Sequence, residues 1–282
     1  MSSIARDYQE LGQLQTKALG HPVLNGLYLP APVPDETFRD EFGFVFLNDG
    51  SVGPFYVSMD DVLQTLWTRY PEPAAYTGDA SLVLAGFTEG NAVDRALALG
   101  VYNALSAAVL RDAGFHAPDR APASGLPDLP PGSLVGMVGY FCPLIDKLME
   151  RGCAVLVLEQ APQRVVERPG VTLTIDPGDL SRCAHVLCTA ATLINDSLGQ
   201  ILSAVAEGAT VELIGPSGSG LPDPLFARGV ASVGGSSFAQ KSSLLECLER
   251  GESWGSAGRK YQLTPENYPG YGRLLGSIRE RR

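Results

Sequence analysis

Apolar residues recur along this chain with two different rhythms, and the change from one to the other comes near residue 130. Ile4, Tyr8, Leu11, Leu14 and Leu19 fall at helical intervals and predict an amphipathic helix over residues 4–19. Pro22, Pro30, Pro32 and Pro34 interrupt that pattern and predict an extended connector. Two aromatic-rich runs, 42–47 and 52–57, flank Asn48-Asp49-Gly50-Ser51, which has the composition of a β-hairpin turn. Ser58 and Asp61 stand three apart ahead of Val62, Leu63, Leu66 and Trp67, so a capping box is expected to open a short helix that stops before Pro71. The run ASLVLAGF at 80–87 suits a strand and a buried helical turn equally. From Asn91, a good N-cap, the segment AVDRALALGVYNALSAAVLRDAG is apolar on most sides and closes on Gly114, which predicts a long buried helix. Asn103 lies in its interior, where its amide is expected to bond to nearby backbone.

Residues 116–132, HAPDRAPASGLPDLPPG, bury little and predict a linker. Beyond it, short β-rich runs begin to alternate with helical segments. Strands are expected at 134–138, 154–158, 171–175, 185–189, 210–214 and 230–233, and helices at 143–151, 193–206 and 242–249. Such alternation predicts an α/β fold, a mainly parallel sheet with helices on both faces. Its first unit is Ser133–Glu159: strand, glycine turn at Gly139, helix, strand. The predicted layout is an N-terminal α+β domain over 1–115, the linker, a sheet domain over 133–263 and a tail over 264–282.

Composition narrows the partners. A net charge of −10 disfavours nucleic acid and anionic membranes. The basic residues that gather after position 250 read as a solvated, partly mobile end. Five scattered cysteines argue against a disulfide framework, and the N-terminus lacks a basic patch followed by an apolar core. The expectation is a cytoplasmic protein, with a homodimer formed through the apolar N-terminal surface.

The glycine turn lacks a complete dinucleotide fingerprint, because Phe141 stands where a phosphate-cradling glycine belongs. Glu159, at the end of the second strand, is placed to hold a sugar hydroxyl. The loops Thr189–Asn195 and Gly215–Gly220 are expected at the same sheet edge, offering hydroxyls, an amide and free backbone N–H groups. Cys142, at a helix N-terminus, and Cys188, ending a strand, are expected to meet there and bind a soft transition-metal ion as cofactor. Only His21, His116 and His185 are available for acid/base work, and no catalytic triad order stands out.

Taken together, VGMVGYFCPLIDKL, AVLVLE, HVLCTAATLIN and ELIGPS resemble the bacterial and archaeal family described as "putative heavy-metal chelation" proteins. The resemblance implies a Rossmann-like C-terminal domain preceded by an enolase-N-terminal-like one, and it implies binding of a metal or metal complex. The matching positions are Gly139, Tyr140, Phe141, Glu159, Thr192, Asn195, Gly215, Pro216 and Ser217. The function expected is binding of a small molecule or metal complex in the interdomain cleft at the carboxyl edge of the sheet. The alternative is an enzyme that uses a nucleotide-containing cosubstrate held by Glu159.

Overall fold

The computed structural model describes residues 3–32, 41–119 and 129–281, so 33–40 of the expected connector and 120–128 of the expected linker lie outside the described residues. The N-terminal half contains α1 (Ile4–Leu19), β1 (Val23–Tyr28), β2 (Phe42–Leu47), β3 (Val52–Tyr56), α2 (Val62–Arg69) and β4 (Thr77–Asp79). Two helical turns, α3 (Ala80–Val83) and α4 (Gly86–Glu89), then lead into the long α5 (Ala92–Asp112). The second half runs β5 (Leu134–Val138), α6 (Cys142–Glu150), β6 (Ala154–Leu158), β7 (Val171–Thr174), β8 (His185–Thr189), α7 (Leu198–Ala204) and β9 (Thr210–Ile214). It ends with α8 (Asp223–Phe226), β10 (Ser232–Phe238), α9 (Lys241–Glu249), β11 (Gly258–Leu263) and α10 (Tyr271–Arg281).

The strands form two sheets. A four-stranded sheet has the order β3-β2-β1-β4 with antiparallel pairing. A seven-stranded sheet has the order β11-β10-β9-β8-β5-β6-β7 and is parallel except for β11. Counted from β5, the six parallel strands follow the 3-2-1-4-5-6 order of a doubly wound sheet. The fold is therefore α/β, with a mostly parallel sheet flanked by helices and a smaller antiparallel sheet.

α5 explains how the two sheets become one body. It is apolar all round, as a helix must be when it is buried on every side. One side takes the small sheet, through Val45, Leu47 and Phe55, and the same core continues into Val186, Leu213 and Val233 of the large sheet. The other face of the small sheet, Phe44, Phe46 and Val52, is covered by Leu244 of α9. On the far face of the large sheet, Ile145 and Leu148 of α6 pack over Val135, Met137, Val155 and Val157. The apolar stripe of α1 (Ile4, Tyr8 and Leu11) is buried in the same core as α5, so the surface expected to join two copies is largely used within one chain.

Polar groups set the start of α5. Asn91 Oδ1 accepts from the backbone of Val93 and Asp94, and the Asp94 carboxylate accepts from Asn91 N, a reciprocal capping box. Burial pushes the Asp94 carboxyl up, but the Arg69 guanidinium and the Asn91 N–H outweigh it and hold it below its ordinary value. A depressed carboxyl contributes stability that is complete above its unfolded-state pKa and is lost as pH falls through its folded value. The melting temperature should therefore start to drop below about pH 4, and Asp94→Asn should flatten part of that acid slope in a pH series of thermal melts.

Three local expectations are corrected. α2 begins at an Asp61 N-cap with no side-chain cap, because Ser58 Oγ instead accepts from Glu41 N at 2.8 Å. The helix expected over 193–206 is shorter, since Asp196 adopts a left-handed conformation (φ 59°) that separates the turn Ala190–Leu193 from α7. The supposed mobile tail is α10, whose Leu274, Leu275 and Ile278 are buried while Arg273, Arg279 and Arg281 face solvent.

Candidate ligand site

Residues after a parallel strand face a crevice wherever neighbouring strands send their crossovers in opposite directions. Here that point lies between β5 and β8. The chain leaves β5 through α6 towards β6, and leaves β8 through α7 towards β9, on the other side of the sheet order. Val138 pairs with Cys188, so the next residues, Gly139 and Thr189, lie side by side at the carboxyl edge.

Gly139 makes the turn possible. Its φ is +87°, and its N–H donates to Leu158 O at 2.9 Å. A Cβ there would stand 3.3 Å from the Phe141 ring and 3.3 Å from the Thr189 methyl, so glycine is favoured by both conformation and space. The Phe141 ring and the Thr189 methyl thus close on the turn, and Phe141 serves as the N-cap of α6 without a side-chain hydrogen bond. By contrast Gly215, at φ 112° and ψ 158°, is open, with nothing near the place of a Cβ. Pro216 follows it, half-buried.

The other expected ligand residues have partners inside the protein. Tyr140 is half-buried, and its hydroxyl accepts from Val166 N and Arg168 Nη2. Thr192 is 3% exposed, and its hydroxyl donates to Thr189 O at 2.7 Å. Asn195 is exposed, with its Oδ1 accepting from Ser197 N and Oγ. Glu159 is half-buried and accepts from Ala161 N through one oxygen. Ser217 is 2% exposed: its hydroxyl accepts from Tyr56 N, and its carbonyl accepts from Asn103 Nδ2. Ser217 and Thr192 therefore hold the loops from beneath, with both hydroxyls bonded to backbone groups.

The thiolate pair is not assembled. On β8, Leu187 packs in the core beneath α6, whereas Val186 and Cys188 belong to the core on the opposite face. Cys142 is exposed at the first turn of α6, across the sheet from Cys188. Cys188 is fully buried, with Sγ 3.6 Å from Thr192 Oγ1, and burial pushes its thiol up to about 12. A metal-binding thiolate would have to form against that shift. Among the described residues no group of three or more His, Cys, Asp or Glu side chains could hold a metal ion. The donors among the described residues do not fit a heavy metal bound by side chains alone.

Thr189 opens a loop expected at this edge, but its contact with the glycine turn is settled only by the structure. Its place beside Gly139 follows from the parallel register, which aligning the strand ends LVGMV and HVLCT would have suggested. Glu212 also stands out only in three dimensions. It lies 3.0 Å from His185 Nε2, off the line of a good hydrogen bond, and accepts from Ser232 Oγ and Gln262 Nε2. His185 opens β8, so this polar group sits towards the end of the sheet opposite Gly139.

A family profile, DUF364, described as "Putative heavy-metal chelation", matches residues 123–266. Two solved structures of that family are similar over nearly the whole chain. One is a protein of unknown function from Pyrococcus horikoshii, with 16% identity and a TM-score of 0.65, covering 91% of this chain and 99% of its own. The other is a protein of unknown function from Desulfitobacterium hafniense DCB-2, with 17% identity and a TM-score of 0.62, covering 92% and 98%. At such identities these likenesses bear on the fold. No curated protein matches.

Proposed function

The chain belongs to the DUF364 family, described as "Putative heavy-metal chelation", and from that premise we propose that it binds a small polar molecule, or a metal already wrapped in an organic ligand, at the β5–β8 crevice. The observation that carries this reading is the Gly139 turn. A left-handed glycine, the Phe141 ring and the Thr189 methyl converge where the two crossovers diverge. An aromatic face with open backbone at Gly215 suits a flat or chelating organic molecule better than a bare cation, which needs convergent anionic donors. Metal handling by this chain then means recognising the complex, with the ion's donors supplied by its own ligand. A nucleotide-using enzyme would rely on Glu159, one oxygen of which already accepts from Ala161 N.

A thermal-shift panel tests the reading. The probes are ferric citrate and haem-type chelates, the same metals as free salts, and NAD, S-adenosylmethionine and ATP. A ligand at a thousandfold excess over its Kd stabilises by about 4 kcal/mol. A metal–organic complex should raise the melting temperature where the free salt does not, and Phe141→Ala should remove the shift. Stabilisation by the free salt alone would contradict the proposal, while a shift with NAD, S-adenosylmethionine or ATP alone would favour the enzyme.

A further inference from the structure

The large sheet has two edges of different character. At β11, the first residues of the expected linker cover the edge: Gln262 N donates to Pro118 O, Asp119 bridges to Tyr261, and Arg259 bonds the Ala117 carbonyl and the Asp119 carboxylate. At the opposite edge, among the described residues β7 pairs with β6 alone. The carbonyls of Gly170 and Thr174 accept from Val155 and Glu159. The alternation of a parallel ladder therefore turns the Leu173 N–H and C=O away from the sheet.

Exposed parallel edges are normally blunted by a lysine, a proline or a bulge. β7 and the residue after it, Val171-Thr172-Leu173-Thr174-Ile175, contain none of these and carry no charge. Three apolar side chains stand unusually open beside this edge: Leu173 at 37%, Ile175 at 63% and Val166 at 64% exposure. Val171 packs towards the core under α6, and the two-residue period puts Leu173 and Ile175 on that same side.

The sequence here is also a palindrome in character: apolar, threonine, apolar, threonine, apolar. An antiparallel pairing of two such strands about Leu173 sets Val171 opposite Ile175, Leu173 opposite Leu173 and Thr172 opposite Thr174. Every apolar residue meets an apolar one, the threonines meet across the other face, and no like charges are brought together within the segment. A two-fold axis perpendicular to the sheet through this point leaves α6 of both copies on the same side and joins their Leu173 and Ile175 into one strip.

We propose that β7 is a homodimer interface, a second copy of this chain pairing antiparallel about Leu173 to make one continuous sheet through both protomers. The contact is isologous and closed, so it stops at two copies. It differs from the crevice at β5–β8 and does not depend on what binds there.

Light scattering coupled to size exclusion on the full chain, over a dilution series, tests this. The wild type should run at twice the 29.9 kDa chain mass, and Leu173→Lys should run as a folded monomer with the same circular dichroism. The residue is an exposed edge position, so the lysine leaves the core alone. As a second readout, Leu173→Cys should form an intermolecular disulfide between the two introduced cysteines, located by peptide mapping. Facing Cα atoms in such a pair stand about 5.5 Å apart, within reach of a disulfide. A wild type that is monomeric throughout, a dimer that persists in the lysine variant, or a Leu173→Cys protein in which the introduced cysteines do not link would each overturn the proposal.

Discussion

Gly53→Ala is expected to cost about 3 kcal/mol or more of stability, the largest loss from a single methyl group in this protein. β3 crosses α5 at Gly53 with backbone nearly touching backbone. An added Cβ would lie 1.9 Å from Gly100 O and 2.4 Å from Ala104 N. Both are main-chain atoms in the middle of a buried helix, so neither a rotamer change nor a small shift of one side chain relieves the clash. The strand must move off the helix, which opens the core between the small sheet and α5. Gly100→Ala meets the Phe55 ring at 2.5 Å and Val45 at 2.7 Å, which are side-chain atoms with more freedom, and should cost less. Chemical denaturation of both variants, read as a lowered midpoint at constant slope, tests the size and the order.

The second large effect is expected at Asn103. Its Nδ2 donates to Pro54 O at 2.8 Å and to Ser217 O at 2.9 Å, so one amide on α5 ties β3 to the loop that follows β9. Asn103→Ala leaves two buried carbonyls without that donor and opens a small void, which together should cost about 3 kcal/mol. The Asn103 Oδ1 has no hydrogen-bond partner among the described residues, so aspartate, which lacks the donor as well, should be no better than alanine. The position also bears on the candidate site. Asn103 holds the Ser217 carbonyl and Tyr56 N holds the Ser217 hydroxyl, so the Gly215–Pro216 rim is fixed from below. Hydrogen exchange of the 215–220 amides should speed up in Asn103→Ala by more than the global loss of stability accounts for.

Much of this architecture can be read from the chain because its local signals agree with the tertiary structure. The Asn91 cap and the apolar run behind it form α5, and the hairpin about Asn48-Asp49-Gly50 pairs as its turn residues require. The 133–159 unit supplies β5 and β6, neighbouring parallel strands of the large sheet. Where the reading stops, a tertiary contact takes over. β11 and α10 were hidden because Arg259, Lys260, Arg273 and Arg279 mask the buried Tyr261, Leu263, Leu274, Leu275 and Ile278 between them. The hydroxyls of Ser217 and Thr192 suggest ligand contacts in a sequence, yet folding spends both on backbone groups. Cys142 and Cys188 end neighbouring elements, but the alternation along β8 turns Cys188 to the face away from α6. Register and facing decide such questions, and neither can be read one segment at a time.

The central claim is that an organic ligand at the β5–β8 crevice, with or without its own metal, is what this chain recognises. Native mass spectrometry with parallel metal analysis, on protein purified without chelators, addresses it most directly. The expected result is that any bound metal departs together with an organic mass, and that the Cys142→Ser, Cys188→Ser double variant keeps the same occupancy. Stoichiometric metal bound with no organic mass, and lost from the double variant, would contradict it.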